Sequence, residues 1–239
     1  MRHSLIAKSI VFLLLYPLII NSALSKSIDE QLLINKLEEV LNLRKNDLLK
    51  DLFLQKSFNQ FNKQYLAFRK NYKDAKWSIQ PVRNDQNKSL LDIKIKSTRE
   101  INDQIYNLYT KQTVKVETYK NKIKGYEVID EESILNSKKS PLIIKIVSPK
   151  KVLTGEKYEI NLIIENPLDN SLTAGGMIVL KNEDDKKISN DIFGIKPNQS
   201  GGLFKYIRAP LKPGYQTISA IITHPKWIYL ITKKIKVDL

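Results

Sequence analysis

The sequence predicts an α+β first part, helices packed on an antiparallel meander, followed by an all-β sandwich. Three observations carry this. Apolar residues recur at helical spacing between Ser27 and Lys70. From Lys76 the spacing switches to alternation. After Pro141, seven short alternating runs succeed one another with turn residues between them.

The chain opens with Arg2, His3 and Lys8, then an apolar run from Ser9 to Ile20, then small residues at Ala23 and Ser25. This is the three-part pattern of a secretory signal, with cleavage expected after Ser25. The run is shorter than the roughly 20 residues a spanning helix needs. The mature chain is therefore expected outside the cytoplasm, in the periplasm or beyond the cell, with no membrane span.

Ser27 and Glu30 form a capping box, and Leu33, Leu37, Val40 and Leu41 give the first helix one apolar stripe. A second helix is expected from Asn46 or Asp47, with Leu54, Phe58, Phe61, Tyr65, Phe68 and Tyr72 in steps of three and four. An aromatic stripe of this kind reads as core. Trp77 and Ile79, then Leu91, Ile93 and Ile95, then Ile105 to Thr118 and Ile123 to Ile129 read as strands. Asn84–Asn87 reads as a turn and Asn121-Lys122 as a hairpin tip. Glu131 to Ser140 is polar and reads as a linker. The expected organisation is 1–25 signal peptide, 26–137 α+β domain and 141–239 sandwich. The expected sandwich strands are Leu142–Val147, Tyr158–Glu165, Gly176–Lys181, Ile188–Ile195, Leu203–Arg208, Gln216–Thr223 and Ile228–Val237. Turns at Asn182 to Lys187 and Lys196-Pro197-Asn198, among others, separate them.

With no Cys, disulfides, thiolate metal centres and Cys nucleophiles are excluded. Two His, one inside the signal segment, cannot build a multi-His zinc site. No cofactor is expected. The formal net charge is +15, from 40 Lys plus Arg against 25 acids. Arg, the residue suited to reading phosphates and base edges, occurs only at Arg2, Arg44, Arg69, Arg83, Arg99 and Arg208. A solvated Lys surface is the favoured reading over specific nucleic-acid binding.

The second part, about 140–239, resembles an immunoglobulin-like domain of the exported bacterial kind. The residues that carry this are Pro149, Val152 and Gly155-Glu156 before Tyr158–Glu165, and Pro213-Gly214-Tyr215 before the penultimate strand. The resemblance implies that Tyr215 is a corner tyrosine whose hydroxyl bonds to backbone a few residues upstream. The first part, about 27–136, resembles the nuclear transport factor 2-like superfamily of cone-shaped domains. The match lies in helices followed by long antiparallel strands, with Tyr106 to Glu117 and Lys122-Ile123-Lys124-Gly125 as the last hairpin. That superfamily includes isomerases, dehydratases and non-catalytic binding modules. No His lies between Lys26 and Ser140, so the His–Asp form of its catalytic base is absent.

Tyr106, Thr110 and Gln112 share one strand face. With Trp77 they are the candidate lining of a ligand pocket, the competing reading being polar groups near a sheet edge. Asp92 and Glu117 fall on the polar parity of their strands. Glu183-Asp184-Asp185 reads as a solvated turn rather than a cation site, and His224 as an exposed loop residue. Gly175-Gly176 and Gly201-Gly202 read as bulges or turns with positive φ. The function expected is that of a secreted, non-enzymatic binding or interaction protein. Its partner is a small apolar ligand or a protein, or a second copy in a homodimer. The alternatives are an exported isomerase or hydratase using a buried carboxylate, and Lys-mediated attachment to anionic envelope polymers.

Overall fold

The computed structural model describes residues 29, 31–82, 89–166, 173–180, 194–198 and 201–239. The expected signal segment, the capping pair Ser27 and Glu30, the turn Asn84–Asn87, the acidic loop Glu183–Asp185, the turn Asn182 to Lys187 and strand positions 188–193 lie outside the described residues.

Three helices come first: α1 (31–43), α2 (Asn46–Leu52) and α3 (Gln55–Asn71). Helix α1 buries Ile34, Leu37, Val40 and Leu41, the face its spacing predicts. The single helix expected beyond Asn46 is broken. Phe53 makes a bridge to Ile123, and the Leu54 amide donates to the Ile123 carbonyl at 2.9 Å. The Leu54 amide thus bonds to the sheet instead of continuing the helix. The aromatic stripe is core, as expected: Phe61 stacks on Phe53 and Tyr65, and Phe68 meets Trp77 edge-on.

Four long strands follow, β1 (Lys76–Val82), β2 (Ser89–Ile101), β3 (Gln104–Tyr119) and β4 (Lys122–Ser137), as an antiparallel meander. The β2–β3 and β3–β4 turns place Asn102-Asp103 and Lys120-Asn121 at positive φ, the signature of a two-residue hairpin turn that suits strand twist. The second tip thus falls one residue earlier than expected. The polar stretch from Glu131, expected as a linker, is strand as far as Ser137.

The second part contains β5 (Ile144–Val147), β6 (Lys151–Leu153), β7 (Lys157–Ile164), β8 (Thr173–Leu180), β9 (Lys196–Asn198), β10 (Gly202–Arg208), β11 (Gly214–His224) and β12 (Trp227–Asp238). Lys196–Asn198, expected as a turn, pairs with β8 instead. One sheet runs β1-β2-β3-β4-β12-β11-β8-β9, with β6 on β12. A smaller sheet runs β10-β7-β5. The join between the two parts is the antiparallel ladder of β12 Tyr229–Lys234 on β4 Asn136–Glu131.

The shared sheet is covered on opposite faces at its two ends. Trp77, Ile95, Leu91, Val114 and Val128 face the helices and build the first core. Ile134, Ile231, Ala220 and Met177, one cross-strand row of the other face, pack with Tyr158, Ile160 and Leu162 of the small sheet in the second. Strand β4 serves both cores because its ladder with β3 slips one residue between Thr113 and Val114, leaving Ile129 without a partner. The bulge reverses the parity of the strand, so Val128 points to the helices and Ile134 to the small sheet.

The Tyr158 hydroxyl donates to Gln216 Oε1 at 2.5 Å, and Gln216 Nε2 donates to the Arg208 carbonyl at 3.2 Å, linking the two sheets. Burial pushes Tyr158 up to about 12. Tyr215, expected to bond backbone, instead donates to Glu127 Oε1 of β4 at 2.9 Å, with Lys234 Nζ 4.2 Å from its ring centroid. Burial first, and then the Glu127 carboxylate, push it up to about 12 as well. Gly175 has no positive φ. Its place is a close approach, where a Cβ would lie 2.9 Å from the Ile221 carbonyl oxygen. Gly201 does sit at φ +70.

Candidate functional site

Trp77, Tyr106, Thr110 and Gln112 all occupy the helix-side face of the sheet. Trp77 pairs with Ile95 and Ile95 with Thr110. The same row continues through Ser133, Thr232 and Ser219. The next row holds Gln112, Glu131, Lys234 and Thr217. Two of the four residues join directly in one network. Thr110 Oγ1 lies 3.0 Å from Ser133 Oγ, Ser133 Oγ donates to Glu131 Oε1 at 3.1 Å, and Gln112 Nε2 donates to Glu131 Oε2 at 2.9 Å. Each oxygen of Glu131 thus accepts a bond from its own sheet, and the network stitches β3 to β4 beside the β4–β12 join. The sequence reading missed Glu131 and Ser133 because it placed them in a linker.

Trp77 is buried in the first core. The Arg69 guanidinium sits 4.2 Å above its ring, and Tyr65 and Phe68 flank it. Arg69 donates to the Tyr65 hydroxyl and to the carbonyls of Lys73, Ala75 and Leu41, so it clasps the ends of α1 and α3. Tyr106 lies farther along β3, its hydroxyl donating to Gln104 Oε1 at 2.9 Å.

Two cavities bear on ligand binding. The one beneath α1, lined by Leu33, Ile34, Leu37, Leu91 and Val116, has a volume of about 10 Å³, room for about one water. A second, of about 200 Å³, opens at the helix ends beside Arg44, Tyr65, Arg69 and Lys73. Neither contains Thr110 or Gln112. Among the described residues, no cluster of His, Asp or Glu is placed to hold a metal ion, and no helix is long and apolar enough to cross a membrane.

Asp74, Asp92 and His224 have identifiable partners. Asp74 is exposed, and the slight desolvation of its carboxyl opposes its charge. Bonds from Ser97 and from the Thr98 hydroxyl and amide outweigh this and hold the carboxyl below its ordinary value. Asp92 accepts from Thr113 and faces solvent as its parity predicts. His224 is not a free loop residue: it is half-buried and stacks on Trp227 at 4.5 Å.

The face of β1–β3 away from the helices is open. It carries Lys76, Lys94, Lys96 and Lys111, all exposed, with Lys115 and Tyr109 half-buried among them. The Lys96 and Lys111 ammonium groups lie 5.8 and 5.5 Å from the Tyr109 ring. Residues 139–238 match the model of a family described as a Domain of unknown function (DUF8623), starting two residues beyond the end of β4. No curated protein matches the chain.

Proposed function

We propose that the protein is an exported, non-enzymatic interaction protein that engages a negatively charged partner through the open face of β1–β3. The observation that carries this reading is the concentration of lysines there, on a face that neither the helices nor the small sheet covers. The charge that is dispersed along the sequence becomes a patch because β2 and β3 place alternate residues on one side. The polar groups of the opposite face bond to one another, which favours binding over chemistry at Glu131.

The apolar run before Ala23 supports export to the periplasm or beyond the cell. Three helices on one face of an antiparallel sheet support a nuclear transport factor 2-like first part, and two packed β-sheets support an immunoglobulin-like second part. Fractionation of producing cells tests the function. Wild type should be retained on the cell envelope at low salt and released by high salt, and a Lys76→Ser/Lys94→Ser/Lys96→Ser variant should be released at low salt. Retention of the variant equal to wild type, or retention that salt does not alter, would contradict the reading.

A further inference from the structure

We infer that the occupant of the open β1–β3 face is a linear chain of phosphate groups, laid along a strip of lysines bordered by acids. This rests on the reading of the protein as an interaction protein and names the partner's chemistry. Lys76 stands directly opposite Lys96, and Lys94 directly opposite Lys111. Like charges in directly opposed positions destabilise a sheet. Two such pairs adjoin on one face, and among the described residues none of these four lysines makes an ion pair. A polyanion relieves both repulsions at once. The unbound sheet keeps a local cost that binding removes.

The shape of the patch selects a linear occupant. Lys76 and Lys96, then Lys94 and Lys111, fill two adjoining rows across β1 to β3, a width of about 10 Å at the usual strand spacing, and Asp92 of β2 borders them in the next row of the same face. Strand β4 then presents Asp130 and Glu132 on the same face. Lys233 pairs with Asp130 and Glu132 at 3.0 and 3.7 Å, which leaves that border net negative. A flat anionic bilayer would meet the acids together with the lysines. A single chain can follow the lysines and avoid the acids. The lysine rows therefore run across the strands, from Lys76 on β1 to Lys111 on β3, with acids on β2 and β4 at their border. Lysine ammonium groups suit phosphate as point charges, and a strip that holds no arginine among the described residues offers no bidentate reading of bases.

The test measures binding of the full chain to short inorganic polyphosphate across a salt series from about 50 to 200 mM. Three variants accompany wild type: Lys94→Ser/Lys96→Ser, Lys94→Glu, and a charge-matched control, Lys145→Ser/Lys157→Ser, on the outer face of the small sheet. Wild type should bind with steep salt dependence, and Lys94→Ser/Lys96→Ser should flatten the salt slope by about two. The control should stay close to wild type. Lys94→Glu should weaken binding and also raise the melting temperature, because it turns the Lys94–Lys111 repulsion into an attraction.

Equal losses in the Lys94→Ser/Lys96→Ser variant and the control would show a net-charge effect and overturn the site. Tighter, lysine-dependent binding to phosphatidylglycerol vesicles would overturn the linear occupant in favour of a membrane. Tighter binding to polyglutamate would overturn phosphate. Absence of polyphosphate binding, with envelope retention still lost in the Lys76→Ser/Lys94→Ser/Lys96→Ser variant, would overturn the phosphate chain and leave the interaction reading standing.

Discussion

Trp77→Ala is expected to lower the stability of the full chain by about 3–5 kcal/mol, at the upper end of core truncations. The indole is buried and touches Tyr65 and Phe68, and its loss also strips Arg69 of the ring beneath its guanidinium. The Asn42 side chain holds the Trp77 backbone through both its amide and its carbonyl, so the strand edge should loosen with the ring. Denaturant unfolding followed by circular dichroism checks this. A variant as stable as wild type would mean that Trp77 lies outside the core.

The second large effect is expected at Lys233, which is 8% exposed on the strand that joins the two parts. Lys233→Met keeps most of the apolar stem but leaves Asp130 and Glu132 facing each other without their cation. The loss should be about 2–3 kcal/mol, below the range for fully buried pairs because both carboxylates are partly exposed. Adding Asp130→Asn and Glu132→Gln should return most of it, since a neutral trio leaves no uncompensated charge. Thermal melts of the single and triple variants distinguish the outcomes. An unchanged melting temperature for Lys233→Met would show that the trio does not hold the β4–β12 edge.

The helix stripes and the alternating strands were legible because each obeys one period over many residues. The aromatic ladder from Phe58 to Tyr72 and the run Leu91, Ile93, Ile95 are where their spacing puts them. Two features were not legible. The break at Phe53 is made by Ile123, a residue distant in the chain, and local propensity carries no trace of it. Glu131 to Ser137 looks like a linker because its polar residues bond sideways to Gln112, Thr110 and the backbone of Ile228 rather than to water. The bulge at Ile129 also resets the alternation there, so neither half of β4 extends the other's pattern.

The candidate residues were legible in part. Parity alone placed Thr110 and Gln112 on one face, and they do act together. Parity could not reveal that Trp77 shares the row of Thr110 yet is enclosed by α3. The lysine strip was hidden for the converse reason. Lys76, Lys94, Lys96 and Lys111 are spread over 36 positions of sequence and meet only when three strands pair.

The central structural claim is that the two parts share one sheet through β4 and β12. Native-state hydrogen exchange of the full chain, read by mass spectrometry on the segments 131–136 and 229–234, tests it most directly. The structure predicts that both segments exchange as slowly as the core strands β3 and β11. Fast exchange in both segments, with β3 and β11 still protected, would show two separate sheets and contradict it.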